Sequence, residues 1–482
     1  MNPIAENSYR ELPDSLYQPS TPTPVASPER LLLNEALLGE LDLSAEWFLG
    51  TEGLAIMAGN QVIPHNPPIA LAYAGHQFGQ RVPLLGDGRA HMLGQMQTAQ
   101  GWIDVQLKGS GPTAYSRGGD GRATLSSVLR EYLVSEAMAG LGIATTRSLA
   151  VIETGEPVLR EQPEPGGILV RTARSHVRVG TFQLAANHGE VDEVRALADH
   201  VLEHHYAECL QADKPYYALL DAVSRRQAQL IADWMLVGFI HGVMNTDNMS
   251  IVGETIDFGP CAFMDEFNFD KVFSSIDRRG RYAWSRQPGI GLWNLTRFAE
   301  ALLPLLADDR DAAVKVAEAT LADFLPVFQQ AFYEGMRRKL GLQEQTDATV
   351  AFADRTLEML HRHAIDFTVF FDYLSELARG GSEQALAELC AEAGEFETWL
   401  ADWRAAHHSG EADRMRRINP ALIARNHQVE EALRAATENS ELAPALRLAA
   451  ALKNPYACAP EHAELQAPPR PEQRVTETFC GT

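Results

Sequence analysis

Apolar and polar positions along this chain follow two different periods. Between about Leu71 and Val179 the pattern is strand-like and punctuated by glycine, with VPLLGDGRAHMLGQM, WIDVQLKG, RSLAVIET and GGILVRTA each reading as a strand. One helical stripe interrupts them. In ATLSSVLREYLVSEAMAGLG the residues Leu125, Val128, Leu129, Tyr132 and Leu133 fall on one face, and Gly140 or Gly142 closes the helix. The order strand–strand–helix–strand–strand predicts an antiparallel sheet with one helix against it. From about Tyr216 the period becomes helical. AVSRRQAQLIADWMLVGFIHGVM reads as one long segment, and residues 290–450 are rich in Ala, Leu and Glu, with LWNLTRFAEALLPLLA and QVEEALRAATE as further helices.

The predicted fold class is therefore α+β, a small mixed α/β lobe followed by a larger helical lobe. The expected divisions are a leading arm over 1–65, the mixed lobe over 66–190, a helical core over 191–300, a helical extension over 301–455 and an irregular tail over 456–482. No fixed-period repeat is present.

Composition refines this picture. The chain has 482 residues, 45% hydrophobic and 22% charged, as expected of a globular protein with a large core. A net charge of −23 opposes nonspecific attraction to nucleic acid or an anionic membrane, and leaves room for a local basic pocket. The first thirty residues carry no basic start followed by an apolar run, so they read as a Pro- and Ser-rich arm, not a signal peptide. No uncharged apolar run approaches the roughly 18 residues of a membrane span. Cys209, Cys261, Cys390, Cys458 and Cys480 are scattered without CxxC or zinc spacing, which predicts a reducing, cytoplasmic setting.

The chemistry concentrates in HGVMNTDNMSIVGETIDFGP, residues 241–260. There SIV and TIDFG read as two short strands joined by a GE turn, a hairpin that would bring Asn248 and Asp257 together. An amide oxygen and a carboxylate suit Mg²⁺ or Mn²⁺, and Asp247 beside them could accept a proton from an incoming hydroxyl. The plain structural alternative is a turn followed by a strand end. Lys108 ends WIDVQLKG, where its ammonium could reach a phosphate. On the following helix Glu136 lies nearer the centre of the apolar stripe and Glu131 flanks it, and the pattern leaves open which one partners Lys108. GDGR occurs twice, at Gly86–Arg89 and Gly119–Arg122; glycine admits phosphate to the backbone and arginine grips it, although GDG is equally an ordinary turn. The second copy leads into a helix N-terminus, which favours an anion. RTARSHVRVG places Arg171, Arg174 and Arg178 close together in an acidic chain, a pocket suited to a polyanion such as triphosphate.

In order, a Gly loop, a strand Lys, a helix Glu, an Asp-Asn and a DFG resemble the layout of protein kinases, but with no GxGxxG and no HRD. The chain resembles more closely the selenoprotein O (SelO) family. The matching blocks are YAGHQFGQRVPLLGDGRA, VQLKGSGPTAYSRGGDGRATLSSVLREYLVSEAM, GGILVRTARSHVRVGTFQ, GVMNTDNMSIVGETIDFGPCAFMD and RINPALIARNH, spanning about 70–427. The resemblance implies a kinase-like bilobal fold that binds ATP in a flipped orientation and transfers AMP to protein hydroxyls, with UTP as the alternative donor. It implies nucleotide contacts at Gly86, Gly88, Arg89, Lys108, Asp120, Gly121, Arg171, Arg178 and Asp257. Glu131 would be the Lys108 partner, Asp247 the proton acceptor, and Asn248 and Asp257 the ligands of Mg²⁺ or Mn²⁺. Relatives that carry selenocysteine place it in a CxxU tail. Here the position three before Cys480 is Glu477, so the chain departs from that motif, and the alternatives for the tail thiol are a disulfide with Cys261 or a free thiol. Two competing functions are a kinase-like phosphotransferase and a nucleotide-sensing pseudokinase scaffold.

Overall fold

The computed structural model describes residues 2–479. Its centre is an antiparallel sheet built from β1 (Ile4–Glu6), β2 (Tyr17–Pro19), β3 (Glu29–Leu33), β4 (Ile69–Leu71), β7 (Ala90–Thr98), β8 (Gly101–Lys108), β9 (Ala123–Thr124), β10 (Arg147–Leu159) and β11 (Pro163–Ala173). The order is β2-β4-β7-β8-β11-β10-β3, with β1 on β7 and β9 on β11. A separate hairpin is formed by β5 (Gly75–Gln77) and β6 (Gln80–Val82).

Alternation along the central strands sends side chains to two different cores. Ile103, Val105 and Leu107 of β8, with Ile168 and Val170 of β11, meet Leu37, Phe48, Ile56 and Met57 from short helices of the leading segment. On the other face the helix Leu125–Gly140 lies across the sheet, burying Leu125, Val128, Leu129, Tyr132 and Leu133 against Val151 and Leu169. That core continues into the helices that follow, among them Val179–Asn187, Pro215–Leu236 and Gln287–Leu306. Thr124 caps the sheet helix by accepting from the Ser127 N–H. Gly167 lets the helix approach, since a Cβ there would sit 2.6 Å from Val128 Cγ2.

The architecture is thus mixed α and β with an antiparallel sheet and one helix on it, as the periodicity predicts. Three local expectations are corrected. VPLLGDGRAHMLGQM is not one strand; β6 ends at Val82 and β7 begins at Ala90, because Gly86 turns the chain at φ +83°. The SIV/TIDFG hairpin does not form. Ser250 instead bridges Arg178, and Thr255 bridges Thr145, so each half finds its partner in a more distant segment. The long helix stops at Leu236 short of the Asp-Asn, and β12 (Phe239–Ile240) pairs with β13 (Ala262–Phe263). Much of the leading segment is also built into the sheet, through β1, β2 and β3. No helix among the described residues is long and apolar enough to cross a membrane.

Candidate active site

The same strand alternation that buries Val105 and Leu107 turns Asp104, Gln106 and Lys108 the other way, towards the sheet helix; on β11, Arg171 faces with Leu169. Lys108 Nζ lies 2.5 Å from Glu131 Oε2 and 3.1 Å from Asp257 Oδ1. Arg171 Nη1 lies 3.2 Å from Glu131 Oε1 and 3.0 Å from Asp257 Oδ1, while Nη2 donates to Gln106 Oε1 at 2.5 Å. Arg178 Nη1 donates to Asp257 Oδ2 at 2.8 Å and to the Asp247 carbonyl at 2.7 Å, and its guanidinium lies over the Tyr73 ring. Three cations therefore meet on one carboxylate. Glu131 is the Lys108 partner; Glu136 is committed to Arg147 at 2.8 Å and to Asn34 at 2.7 Å.

The twelve residues that the resemblance assigns to the site all line one cavity of about 660 Å³: Gly86, Gly88, Arg89, Lys108, Asp120, Gly121, Glu131, Arg171, Arg178, Asp247, Asn248 and Asp257. Its wall carries eight Lys and Arg against six Asp and Glu, in a chain with 41 and 64 of them. That inversion marks a site for an anion. Arg174 is not part of the wall; its backbone N–H donates to Glu254. Asp120 lines the outer edge, where it accepts from Arg160 at 2.9 Å and from the Arg122 N–H at 2.9 Å. These bonds brace the loop 109–122, whose Gly111 N–H donates to Gly121 O.

The two aspartates are tuned apart. Burial raises the Asp247 carboxyl, to about 6. Burial acts on Asp257 in the same sense, but the fields of Lys108, Arg178 and Arg171 overcome it and hold that carboxyl well below the usual range. Asp247 sits on a tight turn, Thr246–Asn248; its Oδ2 accepts from Gln77 Nε2 at 3.3 Å, while Oδ1 is buried without a hydrogen bond among the described residues. Gly75 makes the space, because a Cβ there would lie 2.4 Å from Oδ1. The β5–β6 hairpin is fastened over this turn by His76 N–H to Thr246 Oγ1 at 2.7 Å and Phe78 N–H to Asn245 Oδ1 at 2.9 Å.

For a metal, the donor set is oxygen only. The Asn248 amide nitrogen is committed to Val243 O at 3.0 Å, which leaves its Oδ1 for a ligand, and Asp257 is 23% exposed at its side chain. Among the described residues no three His, Cys, Asp or Glu side chains gather as a cage. The residues fit a hard cation that takes its other ligands from phosphate and water.

Sequence reading missed Tyr73, Gln77, Asp87 and Gln106. Asp87 is buried, accepting from Gln106 Nε2 at 2.9 Å, and its carboxylate lies 3.7 Å from Arg178. The available signal was the polar series Asp104, Gln106, Lys108 on the inward face of an otherwise apolar strand. Cys261 is buried; Cys480 lies outside the described residues, and with it the pairing guessed for the two.

A family model described as protein adenylyltransferase SelO matches residues 3–453. The chain belongs to the SelO family. It is similar to a protein nucleotidyltransferase YdiU from Bradyrhizobium sp. (strain ORS 278), 51% identical over 484 residues that cover 99% of each chain. Relatives of the same name in Shewanella denitrificans (strain OS217), 50% identical over 100% of this chain and 98% of the relative, and in Methylorubrum extorquens (strain PA1), 49% identical over 99% of each, agree. As a SelO-family chain it is an enzyme of the nucleotidyltransferase class.

Proposed function

We propose that this SelO-family enzyme transfers AMP from ATP to hydroxyl side chains of proteins, on a kinase-like bilobal scaffold. The observation that carries the reading is the convergence of Lys108, Arg171 and Arg178 on Asp257, in the cavity that also holds Asp247. Three cations gathered around one carboxylate, Arg171 and Arg178 of them buried, are matched to a ligand with several negative charges such as ATP. With the nucleotide flipped, its β- and γ-phosphates enter among these cations, and the α-phosphorus faces Asp247. The acceptor hydroxyl gives its proton to the Asp247 carboxylate, its oxygen forms a bond to the α-phosphorus, and the bond from that phosphorus to the bridging oxygen breaks, releasing pyrophosphate. Asn248 and Asp257 would hold Mg²⁺ or Mn²⁺, which would supply charge neutralisation at the phosphates. Glu131 keeps Lys108 and Arg171 in place, and Gly86, Gly88, Arg89, Asp120 and Gly121 form the walls past which the nucleotide enters. UTP is the alternative donor.

Intact-protein mass after incubation with ATP and Mg²⁺ or Mn²⁺, on the enzyme and a generic acceptor protein, tests this. The expected result is a metal-dependent gain of one AMP that is lost in Asp257→Ala. A gain of one phosphate instead would make the protein a kinase and overturn the flipped pose.

A further inference from the structure

The acceptor must reach Asp247 through the open side of the cavity, and that rim is unlike the rest of the surface. Two of its residues are large, apolar and exposed, Ile276 at 62% and Phe479 at 67%. Their two segments are tied together: Ser274 pairs in parallel with Thr478, the Thr478 N–H donates to Phe273 O at 2.7 Å, and Thr478 Oγ1 donates to Pro260 O at 2.6 Å. Directly after Ile276 the chain makes a tight turn that places Arg278 and Arg279 at its apex, both exposed and without an ion pair among the described residues. From Lys271 to Arg286 there are five cationic side chains and one carboxylate, in a protein whose net charge is −23. That carboxylate, Asp277, is buried and accepts the backbone N–H groups of Arg281 and Tyr282, so little of it offsets the arginines at the surface.

The turn is also fixed relative to the chemistry. Tyr282 Oη donates to Asn245 Oδ1 at 2.5 Å, two residues before Asp247. We propose that Ile276, Phe479, Arg278 and Arg279 form the docking surface for the acceptor polypeptide, and that it selects acceptors with an apolar residue beside the hydroxyl and acidic residues beyond it. This rests on the transfer reading for its purpose, and on rim geometry and charge for its content. An otherwise acidic protein repels acidic partners, so a local cationic turn next to an apolar lip picks out a segment whose charges are placed to meet it. The apolar pair supplies desolvated contact, and the arginines supply register and rate of encounter.

The test is fluorescence anisotropy of labelled peptides on the full chain saturated with Mg²⁺ and an α,β-methylene ATP analogue. One peptide carries Ser, a neighbouring Leu and flanking Asp and Glu; in two others the acids are replaced by Asn and Gln or by Lys. The expected result is at least tenfold tighter binding of the acidic peptide. That preference should be abolished in Arg278→Glu/Arg279→Glu, and affinity for all three peptides should be weakened in Ile276→Ser, with the analogue's own affinity unchanged. Equal affinity for the three peptides, or an acid preference that survives the double charge reversal, overturns the proposal. The same peptides with ATP separate the two claims. Acid-selective binding without an AMP adduct sinks the transfer reading and leaves the surface standing; adducts with no charge preference sink the surface alone.

Discussion

Asp247 and Asp257 stand ten residues apart and line the same cavity, yet their surroundings push them in opposite directions. Asp257 is locked in its charged form by three cations. Asp247 has no cation of its own on the carboxylate, and burial brings it to about 6, within reach of the proton-accepting role. Only the ionised form can take the acceptor's proton, so transfer should rise with pH through about 6 and level off above it. A kcat profile between pH 5 and 8 under saturating ATP measures this, and a rate already level at pH 5 would remove Asp247 from the role. The positions of Lys108, Asp247 and Asp257 were legible because unlike residues recur in fixed order around short motifs. The choice of Glu131 over Glu136 was not legible from periodicity, because both lie near the buried stripe. What separates them is a competitor distant in sequence, since Arg147 and Asn34 claim Glu136 from the far side of the helix.

At the scale of elements, the loop 109–122 shows how glycine sets a wall. Gly121 has φ +66°, and a Cβ there would lie 2.1 Å from the Gly111 carbonyl carbon, a backbone atom that cannot step aside. Left-handed backbone alone costs an L-residue about 1–2 kcal/mol. Gly121→Ala is therefore expected to raise the ATP KM by roughly tenfold or more, with far-UV circular dichroism unchanged. An unaltered KM would mean that the loop does not shape the nucleotide site. The GDGR repeat made this loop visible in the sequence. The hairpin expected over 250–259 misled for a physical reason: two short apolar runs flanking a Gly can pair with one another or with anything nearby. Here Arg178 and Thr145 offer backbone partners in distant segments instead. Local pattern does not rank partners that are distant in sequence.

Across the whole molecule, the helices after residue 410 reach back to the site's supports. Arg425, 1% exposed, donates to Asp366 Oδ2 at 2.9 Å and pairs with Asp265, a few residues beyond the DFG stretch. Replacing it with Ala would leave the buried Asp366 and the partly buried Asp265 without their cation, which costs about 3–5 kcal/mol. Urea unfolding of Arg425→Ala should show that loss at pH 8 and a smaller one at pH 5, where Asp265, whose carboxyl burial already raises, can protonate. An equal loss at both would mean that the pair matters for packing and not for charge. This long-range strut was invisible to pattern, because a single arginine just ahead of a helix has no periodic signature. The same holds for the leading segment, whose Pro- and Ser-rich composition suggested an arm, while its short strands pair at both sides of the sheet. That placement has a consequence for synthesis on the ribosome. β3 is made early but its partner β10 lies more than a hundred residues later, a wait on the order of ten seconds. During that interval LLL at residues 31–33 has no native strand partner, and Pro28, Glu29 and Arg30 ahead of it stand guard against stray association with other nascent chains.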